Sequence, residues 1–243
     1  MLKRPILIAA GLAGLVLLAG LGGAYAYFFS GLRTAPKPLA LGGSTSASAS
    51  PATSGASATT LAGSWTVAQG SLAGYRVREQ FANQASAHEA VARTSSVSGG
   101  VTVQQGASGF QATAIKFNAQ LANLKSVDQV AGLDVSRRDS IVSRTLSVSR
   151  YPDATFQAES VDLPASLTSG GKESVTIPGQ LTIHGVTRSV QLTVQLQVSG
   201  GRVQAVGSTS FRMTDFGISP PQVPITAVEP QVTLEFQLDL VKA

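Results

Sequence analysis

Strict alternation of apolar and polar side chains is the feature that most constrains this chain. Valine and leucine occupy every second position over residues 190–198, with glutamine and threonine between them, and residues 232–240 repeat the pattern. A two-residue period places one face of a strand on a core and the other in water, as in antiparallel sheets. Shorter runs precede and separate these two, with Gly-rich turns at 169–171 and 199–201. About eight strands in this length predict an all-β, antiparallel sandwich or closed barrel.

One stretch departs from this period. Ser136 and Asp139 have the S-x-x-D spacing of a helix N-terminal capping box, apolar residues follow at roughly helical spacing, and Pro152 is predicted to end the run. We expect a short helix that covers one end of the barrel. Arg137 and Arg138 at its start oppose the helix dipole unless an anion lies nearby. Asp139 is the expected anion, and a ligand headgroup is the alternative.

The N-terminus is predicted to meet a membrane. Residues 5–29 carry no charge, and a hydrocarbon core needs about 20 helical residues. We therefore expect residues 1–30 to form a single-pass transmembrane helix, either as a membrane anchor or as an uncleaved signal. The A-x-A sequence at 24–26 leaves a cleavable signal peptide open.

A segment rich in Ala, Ser and Thr follows the apolar run. Residues 42–63 contain no charged and no aromatic side chain, so they cannot bury enough apolar area to fold by themselves. The composition predicts a disordered, flexible linker at 31–63 with a reach of roughly 30 Å, and a folded domain at 64–243. Segments of this composition are typical of the cell envelope, so we expect the C-terminal domain to lie outside the cytoplasm.

The charge distribution argues against nucleic acid as a partner. Four of the eighteen basic residues and none of the thirteen acidic residues lie before residue 64, which leaves fourteen basic against thirteen acidic residues in the folded part. With no cysteine and two histidines, we expect no metal site and no cofactor. Glu79, His88 and Glu89 are close in sequence, but the expected setting is a solvated loop.

Catalytic chemistry has little support. His184 and Gly185 are expected to form a tight turn between two strands, and Asp215 is expected to bond its own backbone in a turn. Asp139 and Asp215 offer the one candidate pair of carboxylates, and no nucleophile or phosphate-binding motif occurs. The sequence predicts a protein that is not an enzyme.

Four blocks in the C-terminal two-thirds carry a resemblance to a known family. Ser-Arg-Arg-Asp at 136–139, Tyr-Pro-Asp-Ala-Thr-Phe at 151–156, Gly-Gln-Leu-Thr-Ile-His-Gly-Val-Thr at 179–187 and Asp-Phe-Gly-Ile at 215–218 occur in the order of the YceI-like family. The chain resembles this family over about residues 121–240. Residues 81–98 depart from the pattern and are expected to be an inserted or divergent loop.

This resemblance implies an antiparallel, about eight-stranded, lipocalin-like barrel that binds a polyisoprenoid lipid in an apolar interior. The expected lining residues are Phe110, Phe117, Leu181, Ile183, Val190, Leu192, Val194, Leu196, Phe211, Phe216, Leu234 and Phe236. The headgroup candidates are Arg137, Arg138 and Arg212. A barrel of this size can instead be filled by its own side chains, so a structural or interaction barrel displayed on a stalk, with no ligand, is the alternative.

Overall fold

The structure, a computed structural model, describes residues 33–42, 61–82, 87–106, 109–130, 134–224 and 226–243. The strands are β1 (Arg33–Thr34), β2 (Gly63–Val67), β3 (Leu72–Phe81), β4 (His88–Thr94), β5 (Val97–Gly106), β6 (Gly109–Gln120), β7 (Lys125–Ser126), β8 (Gln129–Val130), β9 (Asp153–Pro164), β10 (Lys172–Ile183), β11 (Val186–Ser199), β12 (Arg202–Arg212), β13 (Gln222–Val223) and β14 (Thr226–Lys242). The helix α1 spans Ser136–Thr145, and 3₁₀ turns span Leu121–Asn123, Ala165–Ser169 and Met213–Phe216.

The sheet closes on itself as an eight-stranded antiparallel barrel. β2 and β3 both pair with β14 and run in the same direction along it, so they act as one interrupted strand. β4 and β5 act likewise against that strand. The chain then winds through β6, β9, β10, β11 and β12, and β12 pairs with the second edge of β14. The prediction of an all-β antiparallel barrel with a short helix is confirmed.

Two-residue turns fix the register of the longest hairpins. His184 and Gly185 both have positive φ, and they join β10 to β11 with Ile183 opposite Val186. This is the backbone conformation of a type I′ turn, whose twist matches that of paired strands. The tight turn expected at His184 is confirmed. Along β11 the side chains alternate between buried and exposed positions from Leu192 onward, as the sequence predicts.

The two ends of the barrel differ. α1 lies at the end where β3 and β6 finish and β9, β11 and β14 begin, and we call this the helix end. At the opposite end, the closed end, Leu61, Trp65 and Leu167 are almost entirely buried. The Trp65 indole N–H donates a hydrogen bond to the Leu61 carbonyl at 2.8 Å.

The prediction of a divergent loop at 81–98 is wrong over most of its length. Residues 88–94 form β4, which pairs with β3 along its whole length. The period-two signal is weak here because Ala90, Val91 and Ala92 are all buried. The Val91 carbonyl accepts a hydrogen bond from the backbone N–H of Val127, so the segment that begins with β7 continues along the edge of this strand.

The predicted start and end of α1 also need correction. Asp139 does not cap the helix; its carboxylate accepts hydrogen bonds from the backbone N–H and hydroxyl of Ser126. Asp134 instead accepts hydrogen bonds from the backbone N–H and hydroxyl of Ser136. The helix ends at Thr145, well before Pro152, and Ser147 then takes a positive φ.

Residues 33–42, which the composition assigns to the linker, lie along the outer surface of the barrel. β1 pairs with β8, the Pro36 carbonyl accepts a hydrogen bond from Arg76, and the Gly42 N–H donates to the Gln204 side chain. No helix among the described residues is long and apolar enough to cross a membrane. The predicted anchor at 1–30 lies outside the described residues, as does most of the predicted linker.

Candidate functional site

The helix end of the barrel encloses an apolar cavity of about 270 Å³. The inward-facing side of β3 forms one wall, and α1 forms the roof with Arg138, Ile141, Val142 and Thr145. These helix positions recur every three to four residues, so they share one face. No residue of α1 is fully buried. The helix therefore covers the cavity without being embedded in the core.

A second apolar cavity of about 150 Å³ lies toward the closed end. Its walls come from β6, β9, β11, β12 and β14, and Trp65, Leu61 and Leu167 line its floor. Both cavities are lined by Ala73, Ala119, Ala154 and Leu234. Ala119 and Ala154 are direct cross-strand partners. The two cavities therefore meet at a neck of small side chains and together follow the barrel axis.

Most of the predicted lining residues surround these cavities. The residues that line the closed-end cavity are Phe117, Leu181, Leu192, Val194, Leu196, Leu234 and Phe236. Ile183, Phe211 and Leu234 line the helix-end cavity. Alternation in β10, β11 and β14 thus identified the inward face correctly.

Three predicted lining residues lie elsewhere. Phe216 is completely buried and packs edge-on against Phe211, with ring centroids 4.6 Å apart, behind the cavity wall. Phe110 packs on the core at the start of β6 without lining either cavity, and Val190 lines an outer groove between strands. The ring of Phe216 serves packing in this structure, and so does that of Phe110.

A cluster of buried charges forms the rim of the cavity beneath α1. Arg138 extends from the helix and pairs with Glu79 of β3 at 2.9 Å and with Asp128 at 2.7 Å. The Glu79 and Asp128 side chains are 7% and 0% exposed. Burial disfavours the charge on Arg138, but the two carboxylates outweigh it and raise the pKa of the guanidinium. These ion pairs connect the helix to the barrel wall.

Asp128 is the centre of this cluster. Burial opposes its ionisation, but hydrogen bonds from His88 and from the Val91 N–H, together with the charge of Arg138, lower its pKa below the ordinary 3.8. The His88 Nε2 lies 2.7 Å from Asp128 Oδ2, and a carboxylate only accepts, so this nitrogen carries the proton. The prediction that Glu79 and His88 lie in a solvated loop is wrong.

The three headgroup candidates are not brought together. Arg138 lines the helix-end cavity, but its charge is already balanced by two carboxylates. Arg137 points outward with its side chain 87% exposed, and Arg212 is exposed on β12. The anions that balance the start of the helix are therefore Glu79 and Asp128, which pair with Arg138, and not the predicted Asp139.

Tyr75 is a polar residue of the cavity that the sequence pattern did not single out. It lies in the wall formed by β3, and no described group forms a hydrogen bond with its hydroxyl. Burial raises the pKa of Tyr75 far above the ordinary 10.0, so its hydroxyl stays protonated and can donate. It is a hydrogen-bond donor with no described partner in a cavity whose lining is mainly apolar.

The residues considered for catalysis have structural partners. His184 packs edge-on against Tyr151, with ring centroids 5.0 Å apart. Asp215 accepts a hydrogen bond from the backbone N–H of Arg212, which confirms the expected turn. Asp139 binds Ser126 beside β7, so Asp139 and Asp215 have different surroundings.

Comparison with known proteins gives the same result as the motif blocks. A family model described as YceI-like domain matches residues 59–240. A UPF0312 protein of Pseudomonas syringae pathovar tomato is 27% identical over 108 residues, which cover 41% of this chain and 53% of that protein. A UPF0312 protein of Pseudomonas putida is 29% identical over 96 residues, or 37% of this chain and 47% of that protein. The chain spans about half the length of the curated relatives it matches.

The fold is also that of a solved structure. A polyisoprenoid binding domain from Saccharophagus degradans, implicated in plant cell wall breakdown, superposes with a TM-score of 0.53 at 16% identity and covers 74% of this chain and 98% of that chain. Burkholderia cenocepacia BcnA superposes with a TM-score of 0.46 at 17% identity, covering 69% of this chain and 95% of that chain.

Proposed function

Because the chain belongs to the YceI-like domain family, we propose that it is a binding protein for a long apolar lipid of the polyisoprenoid class, held inside the barrel. The observation that carries this proposal is the pair of apolar cavities joined at the alanine neck. Their shape along the barrel axis suits an extended chain. The polyisoprenoid class is suggested by the structural relative from Saccharophagus degradans.

The energetics of such binding need no dedicated polar site. Transfer of apolar surface from water contributes roughly 0.8 kcal/mol per CH₂-sized unit. Several isoprene units therefore outweigh the cost of association, for which estimates begin at about 4 kcal/mol. In this proposal the chain occupies the closed-end cavity and the neck, and the polar end of the lipid remains near Tyr75 under α1.

A structural barrel without a ligand is the alternative function. It requires an interior filled by side chains, whereas this interior holds two apolar cavities of about 270 and 150 Å³. Apolar cavities in a protein core are costly, because a residual void destabilises by about 24 cal/mol per Å³. Because empty apolar space along the barrel axis destabilises the fold, its presence favours a ligand-binding function over a purely structural one.

The proposal includes the setting of the protein. The uncharged residues 5–29 act as a single-pass membrane anchor, and the barrel lies outside the cytoplasm in the cell envelope. The proposal assigns no catalytic step, since the charged groups at the cavity are engaged with one another in ion pairs.

The test is the lipid content of the purified full-length chain. We expect an organic extract of the protein, analysed by mass spectrometry, to contain a stoichiometric isoprenoid lipid, or the emptied protein to take up an added prenyl lipid. A protein that carries no lipid and takes up none would contradict the proposal.

A matched pair of substitutions makes this test specific to the neck. Ala119→Leu places a larger side chain where the two cavities meet, and we expect it to exclude long prenyl chains. Ala122→Leu introduces the same side chain at a nearby exposed position that lines neither cavity. The proposal requires normal lipid content in Ala122→Leu and reduced content in Ala119→Leu.

A further inference from the structure

We infer that the helix end of the barrel is the surface that this protein presents to an anionic lipid bilayer. Three separate features meet at this end: the route of residues 33–42, a ring of exposed basic side chains and an exposed apolar side chain. The inference rests on the membrane anchor of the proposed function. It adds the orientation of the barrel and the chemistry of the surface that it contacts.

Residues 33–42 run along the barrel from the helix end toward the closed end. Arg33 pairs with Val130, close to the beginning of α1. Further along, the Pro36 carbonyl accepts a hydrogen bond from Arg76. The Gly42 N–H then binds the side chain of Gln204, near the turn that joins β11 to β12. The chain therefore enters the barrel at its helix end.

Buried ion pairs hold this segment in place. Glu235 pairs with Arg76 at 2.7 Å and with Arg93 at 2.8 Å, and its carboxylate also accepts a hydrogen bond from the Leu39 N–H. Arg93 in turn donates to the Lys37 carbonyl. The segment is thus fixed on the barrel surface by side chains from three strands.

Covalent reach then places the predicted anchor beside the helix end. Only residues 30–32 separate the end of the apolar run from Arg33. An extended chain spans at most about 3.6 Å per residue, so the last apolar residue lies within roughly 15 Å of Arg33. A flexible linker of thirty residues would have left the orientation of the barrel open; docking of residues 33–42 removes that freedom.

A ring of exposed basic residues surrounds the same end, and we call it the basic ring. Its members are Arg78, Lys125, Arg137, Arg144, Arg150, Arg188 and Arg212. The exposed acidic residues of the described helix end are Glu89, Asp134, Asp215 and Glu229, so basic side chains outnumber them by seven to four. Among the described residues of the closed end, the exposed basic side chains are Lys172, Arg202 and Lys242.

Burial of acidic partners creates this polarity. The folded part is nearly neutral by count, but Glu79 and Asp128 at the helix end are buried against Arg138. The charges that reach water there are therefore mainly positive. Clusters of Lys and Arg near a membrane anchor bind anionic lipid headgroups.

Val127 adds an exposed apolar side chain two residues from Lys125 of the basic ring. It lies between β7 and β8, and it is the exposed large hydrophobic residue of the described chain, at 41%. An apolar side chain among basic residues is typical of surfaces that lie in the membrane interface. This contact would also place the cavity under α1 next to the lipid source.

Site-specific labelling of the full chain in vesicles tests the orientation. The chain has no cysteine, so Ser143→Cys on α1 and Ser199→Cys at the closed end each give one labelling site, both exposed. A strand of 12 tilted residues separates these ends by roughly 30 Å. With an acceptor dye on the lipid headgroups of phosphatidylglycerol-containing vesicles, we expect energy transfer from position 143 to be at least twice that from position 199.

Paired charge variants test the basic ring. Arg137→Gln with Arg144→Gln should bring the two transfer efficiencies closer together, whereas Lys172→Gln with Arg202→Gln should leave them unchanged. With purely zwitterionic vesicles, the two transfer efficiencies of the protein without charge substitutions should likewise come closer together. An unchanged ratio in the first pair would overturn the role assigned to the ring.

Equal transfer from the two positions, or stronger transfer from position 199, would overturn the inference. Lipid content measured on the same preparation separates this result from a failure of the proposed function. A protein that retains its lipid but shows equal transfer keeps the binding function and loses the orientation.

Discussion

The two ends of the barrel are closed by opposite kinds of chemistry. At the closed end, Leu61, Trp65 and Leu167 fill the space with buried apolar side chains. At the helix end, α1 has no fully buried residue and is connected to the wall by the ion pairs of Arg138 with Glu79 and Asp128. An apolar plug is insensitive to pH and salt, whereas charged contacts respond to both. The helix end is therefore the end that we expect to open for a ligand.

The largest effect should come from removing the plug. Trp65→Ala deletes a side chain that is 2% exposed and should lower the free energy of unfolding by about 3–5 kcal/mol. Denaturant titration would measure this loss. A loss below about 1 kcal/mol would contradict the assignment of Trp65 as the structural floor.

The next largest effect should come from the attachment of the helix. Arg138→Met leaves Glu79 and Asp128 buried without their partner, and it should lower the free energy of unfolding by about 3 kcal/mol. Arg137→Met, one position earlier and 87% exposed, should change it by less than about 0.5 kcal/mol. Similar losses in both variants would show that the ion pairs do not hold the helix.

A smaller effect is expected from the hydroxyl in the cavity. Tyr75→Phe removes a group with no described hydrogen-bond partner, so stability should stay within about 0.5 kcal/mol of the parent. Affinity for a prenyl lipid with an oxygen-containing head should fall about 2- to 10-fold, the worth of one hydrogen bond. Tyr151→Phe, which lines neither cavity, is the control, and titration with the lipid measures both variants.

The smallest expected effect is a change in the pH dependence of stability, and it appears only at acidic pH. The folded-state pKa of Asp128 is lowered, so its contribution to stability is complete above its ordinary value of 3.8 and is lost as the pH falls below it. Between pH 5 and 8 this group gives no pH dependence. Unfolding measured from pH 5 down to pH 2 should show a weaker acid dependence in Asp128→Asn, and identical slopes would contradict this role.

Sequence periodicity predicted the inward faces of the long strands but not the charged rim. The odd positions of β3 carry Tyr75, Val77 and Glu79 on one face, so a charged residue at an inward position was a readable signal of a buried ion pair. Its partners could not be read, because Asp128 and Arg138 lie 49 and 59 residues away along the chain.

The same reasoning explains the errors at β4 and at the start of α1. Apolar–polar alternation in a strand requires one face to be exposed to water. β4 has three consecutive buried residues, so its sequence gave no strand signal. The S-x-x-D spacing at Ser136 matched a capping box, but the Asp139 carboxylate accepts its hydrogen bonds from Ser126 instead. Local pattern rules fail at both places because a distant segment supplies the partner.

Trp65 has one more consequence, which follows from its being the only tryptophan in the chain. Its fluorescence arises from a single place, the floor of the closed-end cavity, with the indole N–H held by the Leu61 carbonyl. A bromine atom at the tail of a lipid would quench this emission only if the tail reached that floor. The quenching of Trp65 fluorescence in the unlabelled protein therefore measures how far lipid tails of different lengths reach into the barrel.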